Sequence, residues 1–200
     1  MESSRDGAKQ PERFDPGRAA QLDDPARFDY LPPVELFALL DAPKGGVVVD
    51  FGAGTGAYAL KLAQARPDLE IFALDEQPQM LDLLNKKLSL TPAPNVRPIL
   101  ADGKSLARLR GGADRILAVN VLHEVGDAPL RQMAESLKPG GSILFVDWNG
   151  AIERPVGPPR DHVLTPEEAS RRIQALGMEV LTGRLFRYHY AMVCGLRETD

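Results

Sequence analysis

Residues 47–58 read VVVDFGAGTGAY, a β-branched run ending in a carboxylate, Asp50, two residues ahead of glycines at 52, 54 and 56. A glycine turn that follows a strand and opens a helix brings backbone N–H groups up to a ligand, commonly a phosphate. Gly52, Gly54 and Ala57 satisfy the loose dinucleotide spacing G-x-G-x-x-[GA]. Asp75, 23 residues after Gly52, closes the next strand-like run, where a carboxylate can bind both hydroxyls of a ribose. Asp50 discriminates between ligands. Beside a diphosphate it adds like-charge repulsion in a partly desolvated cleft, where Coulomb energies grow as the effective dielectric falls. Beside an ammonium or a sulfonium it is attractive, and S-adenosylmethionine carries both cations, an adenosine end and no phosphate. Asp50 also suits a cap on the glycine turn, and both roles are expected of it.

A second group of reactive types is Asn120-Val-Leu-His-Glu124. Asn120 ends a strand-like run, next to the crevice where open α/β sheets bind ligands. His123, whose unperturbed pKa lies near neutrality, is a candidate general base toward a hydroxyl or activated carbon, against a plainer role hydrogen-bonded within its loop. His123-Glu124 matches half of H-E-x-x-H, but Asp127 holds the second histidine's place, so no metal site is expected. Tyr30 and Trp148 are candidates for contacting an acceptor. The proline-rich segment 149–165 follows the fifth strand at the ligand end of the sheet, and with Tyr30 and the N-terminal segment it is a candidate lid.

The elements that position these residues alternate. Strand-like runs at 47–51, 71–75, 96–101, 113–120 and 142–148 are nearly all apolar, as parallel strands covered on both faces require. Helical patterns separate them at 57–65, 78–90, 105–109 and 129–137. Such alternation predicts an α/β fold with a doubly wound, mostly parallel sheet. Residues 1–13 are polar and expected to be a disordered tail. Residues 14–46 form an N-terminal helical and lid segment, broken into turns by its prolines until a helix at 34–40. Residues 47–200 make the ligand-binding domain, within a single domain overall. Thr165-Pro-Glu-Glu168 is a helix start with a capping box, and Gly177 a stop. The β-rich runs 178–182 and 184–196 are separated only by Gly183. That gap is too short for a parallel crossover, so these two strands must pair antiparallel.

Composition narrows the partners. A formal charge of −4 disfavours broad nucleic-acid binding, and no apolar stretch is long enough to span a membrane. The single cysteine, Cys194, allows no internal disulfide, and with a polar N-terminus a cytoplasmic setting is the default.

Taken together, VVVDFGAGTG, ALDEQPQML, ADGKSL, AVNVLHEV and LKPGGSILFVDW stand in the order and at the spacing of the motifs of the class I S-adenosylmethionine-dependent methyltransferases, which this chain resembles over roughly residues 30–196. The resemblance implies a Rossmann-like fold and S-adenosylmethionine as cofactor, with S-adenosylhomocysteine as product. It implies a cofactor shell of Asp50, Gly52, Ala53, Gly54 and Gly56; Asp75, Glu76 and Gln77; Asp102 toward the adenine amino group with Gly103 admitting the ring; and Asn120, through its backbone carbonyl, with Val121. Within the family the architecture is similar to the small-molecule branch that includes ubiquinone and menaquinone C-methyltransferases. A small-molecule acceptor is therefore expected, held near Tyr30, His123 and Trp148, with His123 as catalytic base. Asn120-Val-Leu-His departs from the Asn/Asp-Pro-Pro-Tyr run of amino-directed DNA methyltransferases, and the cysteines of arsenite methyltransferases are missing. Two other readings stand beside this one. An NAD(P)-dependent oxidoreductase would be expected to show Tyr-x-x-x-Lys, whereas Tyr58 and Lys61 are only three apart. A non-catalytic module would bind the cofactor without turnover.

Overall fold

The structure, a computed structural model, describes residues 14–102 and 104–197. The tail expected at 1–13 and Gly103 lie outside the described residues. The chain opens with a 3-10 helix, Pro16–Asp23, followed by α1 (Ala26–Tyr30), α2 (Pro33–Leu40), β1 (Val47–Phe51), α3 (Ala57–Ala65), β2 (Glu70–Asp75), α4 (Pro78–Leu90), β3 (Val96–Leu100) and α5 (Ser105–Arg108). It continues with β4 (Ala113–Val119), α6 (Asp127–Ser136), β5 (Leu137–Trp148), α7 (Pro166–Ala175), β6 (Met178–Leu185) and β7 (His189–Leu196).

Among the described residues the strands form one seven-stranded sheet in the order β3-β2-β1-β4-β5-β7-β6. The first five pair in parallel; β7 runs antiparallel to both β5 and β6, so β6 again points the same way as the rest. This is the doubly wound, mostly parallel sheet with a C-terminal antiparallel strand that the sequence pattern predicts. Alternate strand residues feed two cores. Val48, Leu117, Leu144 and Val146 face Leu36, Leu40, Leu62 and Leu84 on one side, while Val49, Ile116, Ile143 and Phe145 face Leu130, Met133 and Ile173 on the other. Met80 and Leu81 are buried in α4, the packing role that their helical spacing favours.

Three sequence expectations change. Residues 16–23 and 26–30 are helical rather than a series of turns: the Asp15 carboxylate accepts the Gly17 N–H at 2.8 Å and Pro16 supplies the preset φ of a first helical position. Helix α6 begins at Asp127, two residues before Pro129, because a proline in the first turn forfeits an N–H that has no helical partner anyway. The last two strands are antiparallel as expected, yet the reversal is not at Gly183. Strand β6 runs through Gly183 to Leu185, and the turn is closed by Phe186 N–H donating to the His189 carbonyl at 2.8 Å. The capping box at Thr165 and Glu168 is present, with bonds of 2.8 and 3.2 Å.

Candidate active site

The direction of strand order reverses between β1 and β4, and the loops at their C-terminal ends make the crevice where such sheets hold ligands. Asp50 ends the buried part of β1 and is only 3% exposed. Its carboxylate receives the backbone N–H of Ala59 in the first turn of α3, a bond to the helix rather than to the glycine turn itself. Gly52 turns the chain at φ +70, and a Cβ there would lie 2.6 Å from Val121 Cγ2 at the end of β4. Ala53 N–H bonds the Leu74 carbonyl, tying the turn to β2.

Asp75, buried at the end of β2, accepts Gly54 N–H at 2.8 Å on one oxygen and Gln77 N–H at 2.9 Å on the other. The glycine turn and the second acid are thus wired together. Glu76 follows in the same turn. Asp50 is pushed up to about 7 by burial, with the charge of Asp75 adding and Arg27 opposing. Burial also raises Asp75, against the two backbone bonds it accepts. Two buried acids flanking one glycine turn, once ionised, suit a cation and not a diphosphate.

The N-terminal segment lies across this crevice. Phe14 donates its N–H to the Glu124 carboxylate and accepts from Gln77 Nε2 at 3.0 Å. Leu22 sits over Gly54, where a Cβ would approach its Cδ1 to 2.9 Å. Asp23 accepts from Thr55 Oγ1 at 2.7 Å and from Lys87 Nζ at 2.6 Å, and Lys87 also reaches the Thr55 carbonyl.

Asn120 is one of the described non-glycine residues with positive φ (+59), and its buried Oδ1 has no partner among the described residues. Its N–H bonds the Val146 carbonyl at 2.7 Å, which sets it beside the end of β5. There His123 Nδ1 lies 2.7 Å from Asp147 Oδ1, and the His123 backbone N–H donates to Asp147 Oδ2 at 2.9 Å. His123 Nε2 lies 3.6 Å from Glu124 Oε1. His123 is therefore tied to β5 rather than within its own loop. Burial works against its charge, but Asp147 and Glu124 outweigh burial and raise its pKa. Burial pushes Glu124 up to about 7, with His123 opposing and Asp147 adding.

Tyr30 and Trp148 come together as expected, at 6.1 Å between ring centroids, and both meet His189: Tyr30 stacks on it at 5.8 Å and Trp148 lies 4.0 Å away. Asp102 behaves differently. It is exposed, and its carboxylate accepts Lys104 N–H at 3.0 Å and Ser105 Oγ at 2.9 Å, an ordinary turn at the start of α5. These bonds, the Ser105 hydroxyl first, hold its carboxyl below the usual range. Asp147, Arg154 and His189 were not picked out by sequence reasoning, and Glu124 was noted only as part of the Asn120–Glu124 group. Asp147 had a readable signal, an acid closing an apolar parallel strand just as Asp50 and Asp75 do. His189 had none, lying in an aromatic β-rich run. Among the described residues no group of three or more His, Cys, Asp or Glu side chains is placed to hold a metal ion, and no helix is long and apolar enough to cross a membrane.

Residues 48–141, from β1 to the start of β5, match the family model described as a methyltransferase domain. The solved structure of a SAM-dependent methyltransferase from Aquifex aeolicus superposes with a TM-score of 0.84, covering 91% of this chain and 98% of that one at 23% identity. Residues 48–141 thus match a methyltransferase domain, set in the fold this chain shares with that SAM-dependent methyltransferase. An uncharacterized methyltransferase of Mycobacterium tuberculosis strain H37Rv is 32% identical over 108 residues, 54% of this chain and 41% of the relative. An uncharacterized methyltransferase-like protein of Schizosaccharomyces pombe is 29% identical over 104 residues, 52% of this chain and 38% of the relative. The chain thus spans about two fifths of the length of the curated methyltransferases it matches.

Proposed function

We propose that this protein is an enzyme that moves the methyl group of S-adenosylmethionine to a small-molecule acceptor by in-line displacement. The observation that carries the reading is the pair of buried acids on either side of the glycine turn, Asp50 and Asp75, with Asp50 pushed up to about 7. An anionic crevice of this kind attracts a cationic nucleoside and repels a dinucleotide's phosphates.

The residues present fit the cofactor. Asp50 takes its ammonium group, while Asp75 accepts the ribose hydroxyls on the lone pairs left by Gly54 and Gln77. Gly52 and Ala53 let the backbone approach the ligand, and Asn120 offers acceptor oxygens. When bound, the cofactor supplies an activated methyl on a good leaving group, so the protein's work is mainly positioning. His123, oriented by Asp147 through Nδ1, receives the acceptor's proton at Nε2. Residues 14–30 and 149–165 act as lids that exclude water, and together with residues 47–197 they make one functional unit. A cytoplasmic setting suits the one buried, unpaired cysteine.

Calorimetric titration tests the reading. S-adenosylmethionine and S-adenosylhomocysteine are expected to bind and NADH is not. Tight NADH binding with no response to the sulfur compounds would overturn it in favour of an oxidoreductase. Cofactor binding without turnover over a broad metabolite panel would mark a binding module instead.

A further inference from the structure

Of the buried polar side chains without a partner among the described residues, Tyr190 turns its hydroxyl into the second core and the other three stand near the ends of neighbouring strands. Asn120 Oδ1 lies at the end of β4, and both ring nitrogens of His189 at the start of β7. Arg154 Nε is on the segment that leaves β5, and β4, β5 and β7 are neighbours in the sheet. His189 is fully buried (0% exposed), yet a neutral imidazole always keeps one N–H donor and one bare acceptor. Leaving either unpaired in a dry site is unfavourable, so a phenyl ring would pack here with less penalty. Burial first, then Arg27 and Arg154, push His189 down to about 3, which keeps it uncharged at neutral pH.

Two aromatic rings, Tyr30 and Trp148, flank His189, and Tyr188 meets Tyr30 at 5.4 Å. The guanidinium of Arg154 lies 5.5 Å from the Trp148 ring centroid, and its two terminal nitrogens bond the Asn149 and Pro158 carbonyls. No carboxylate among the described residues is ion-paired to Arg154. Asp147, whose charge acts on Arg154 without pairing to it, alternates to the opposite face of β5 from Trp148 and bonds His123 there. Gly157 covers the Trp148 ring, where a Cβ would come within 2.9 Å, so the segment 149–165 is the cover of this box.

We infer that this aromatic box is a binding site for a planar aromatic carboxylate, whose oxygens are read by Arg154 and by His189 as a neutral donor. The inference rests on the methyltransferase reading only for calling that ligand the methyl acceptor. The carboxylate is the anchor, and the proton-bearing group that takes the methyl lies elsewhere on the molecule.

Trp148 is the chain's single tryptophan, so its emission reports this site directly. The full chain is titrated with benzoate, and with benzylamine as the cationic counterpart, with and without S-adenosylhomocysteine. Benzoate is expected to give a saturable change and benzylamine none. Arg154→Gln and His189→Phe should each weaken benzoate by about tenfold, as expected for losing one buried charged or polar partner. Their affinity for S-adenosylhomocysteine should stay within about twofold of the parent, a negligible free-energy change. Should His189→Phe not fold, the Arg154 variant carries the test alone. The idea is overturned by no saturable benzoate response, by an equal response to benzylamine, or by parental benzoate affinity in the folded variants. Benzoate binding with no S-adenosylhomocysteine binding would sink the cofactor reading and leave this one standing.

Discussion

His123 is held by Asp147 at two points, ring Nδ1 to Oδ1 at 2.7 Å and backbone N–H to Oδ2 at 2.9 Å. One carboxylate thereby sets both where the histidine stands and which nitrogen carries its proton, leaving Nε2 to face the crevice side near Glu124. If Nε2 takes a proton during methyl transfer, His123→Ala should lower turnover by roughly 10²–10⁴-fold, the usual worth of a positioned base. Cofactor affinity should be nearly unchanged. Asp147→Asn, which keeps the shape but loses the tautomer control, should fall in the same direction. A folded His123→Ala protein with full activity rules out the base role.

Asp75 joins the glycine turn to the end of β2, and its oxygens are also the proposed ribose partners. Asp75→Ala should weaken S-adenosylhomocysteine binding by roughly 1–3 kcal/mol, the cost of stranding buried hydrogen-bonding groups. Calorimetry gives the value directly. Unchanged affinity removes Asp75 from the nucleoside site.

The raised pKa of Asp50 predicts a pH dependence of binding. Below about 7 its carboxyl is neutral and attraction for a cation is lost. Affinity for S-adenosylmethionine should therefore rise with pH up to about 7 and then level, with proton release on binding at lower pH. Asp50→Asn should flatten that profile, and a wild-type profile already flat between about pH 5 and 8 would refute the assignment.

Stability of the ligand-free protein has the opposite slope. The folded carboxyl at about 7 lies above its ordinary value of 3.8, so its contribution is full below 3.8 and is lost as pH rises to about 7. Glu124, also pushed to about 7, acts in the same sense. Urea midpoints should fall between about pH 5 and 8, and less so in Asp50→Asn.

Gly141, inside β5, is fenced by three carbonyls: a Cβ would meet those of Lys138, Ala113 and Asp114 at 2.9, 3.1 and 3.2 Å. Backbone cannot yield as a side chain can. Gly141→Ala should cost about 1–3 kcal/mol of stability, the usual penalty of overpacking, with cofactor affinity retained. An unchanged denaturation midpoint would contradict the close approach.

The strands and their order of use were legible because burial on two faces forces continuous apolar runs, and an acid at the end of such a run cannot be a packing residue. That logic finds Asp50 and Asp75, and applied to FVDW it finds Asp147. The helices at 16–23 and 26–30 were obscured by Pro16 and Pro25, whose helix-starting role depends on the residues before them. The reversal between β6 and β7 was misplaced because Gly183 serves as a strand residue there, opposite Met192. Arg154 and His189 were illegible for another reason. Their meaning comes from atoms left without partners once three strand ends converge, and nothing in linear spacing reports a missing bond.

Strand β7 alone runs against the grain of the sheet, and for that reason its first residue, rather than its last, arrives at the ligand rim. The pocket is therefore finished late. A nascent chain can pair β1 to β5 before His189 leaves the ribosome, so the proposed aromatic site closes only once the β6–β7 hairpin has emerged.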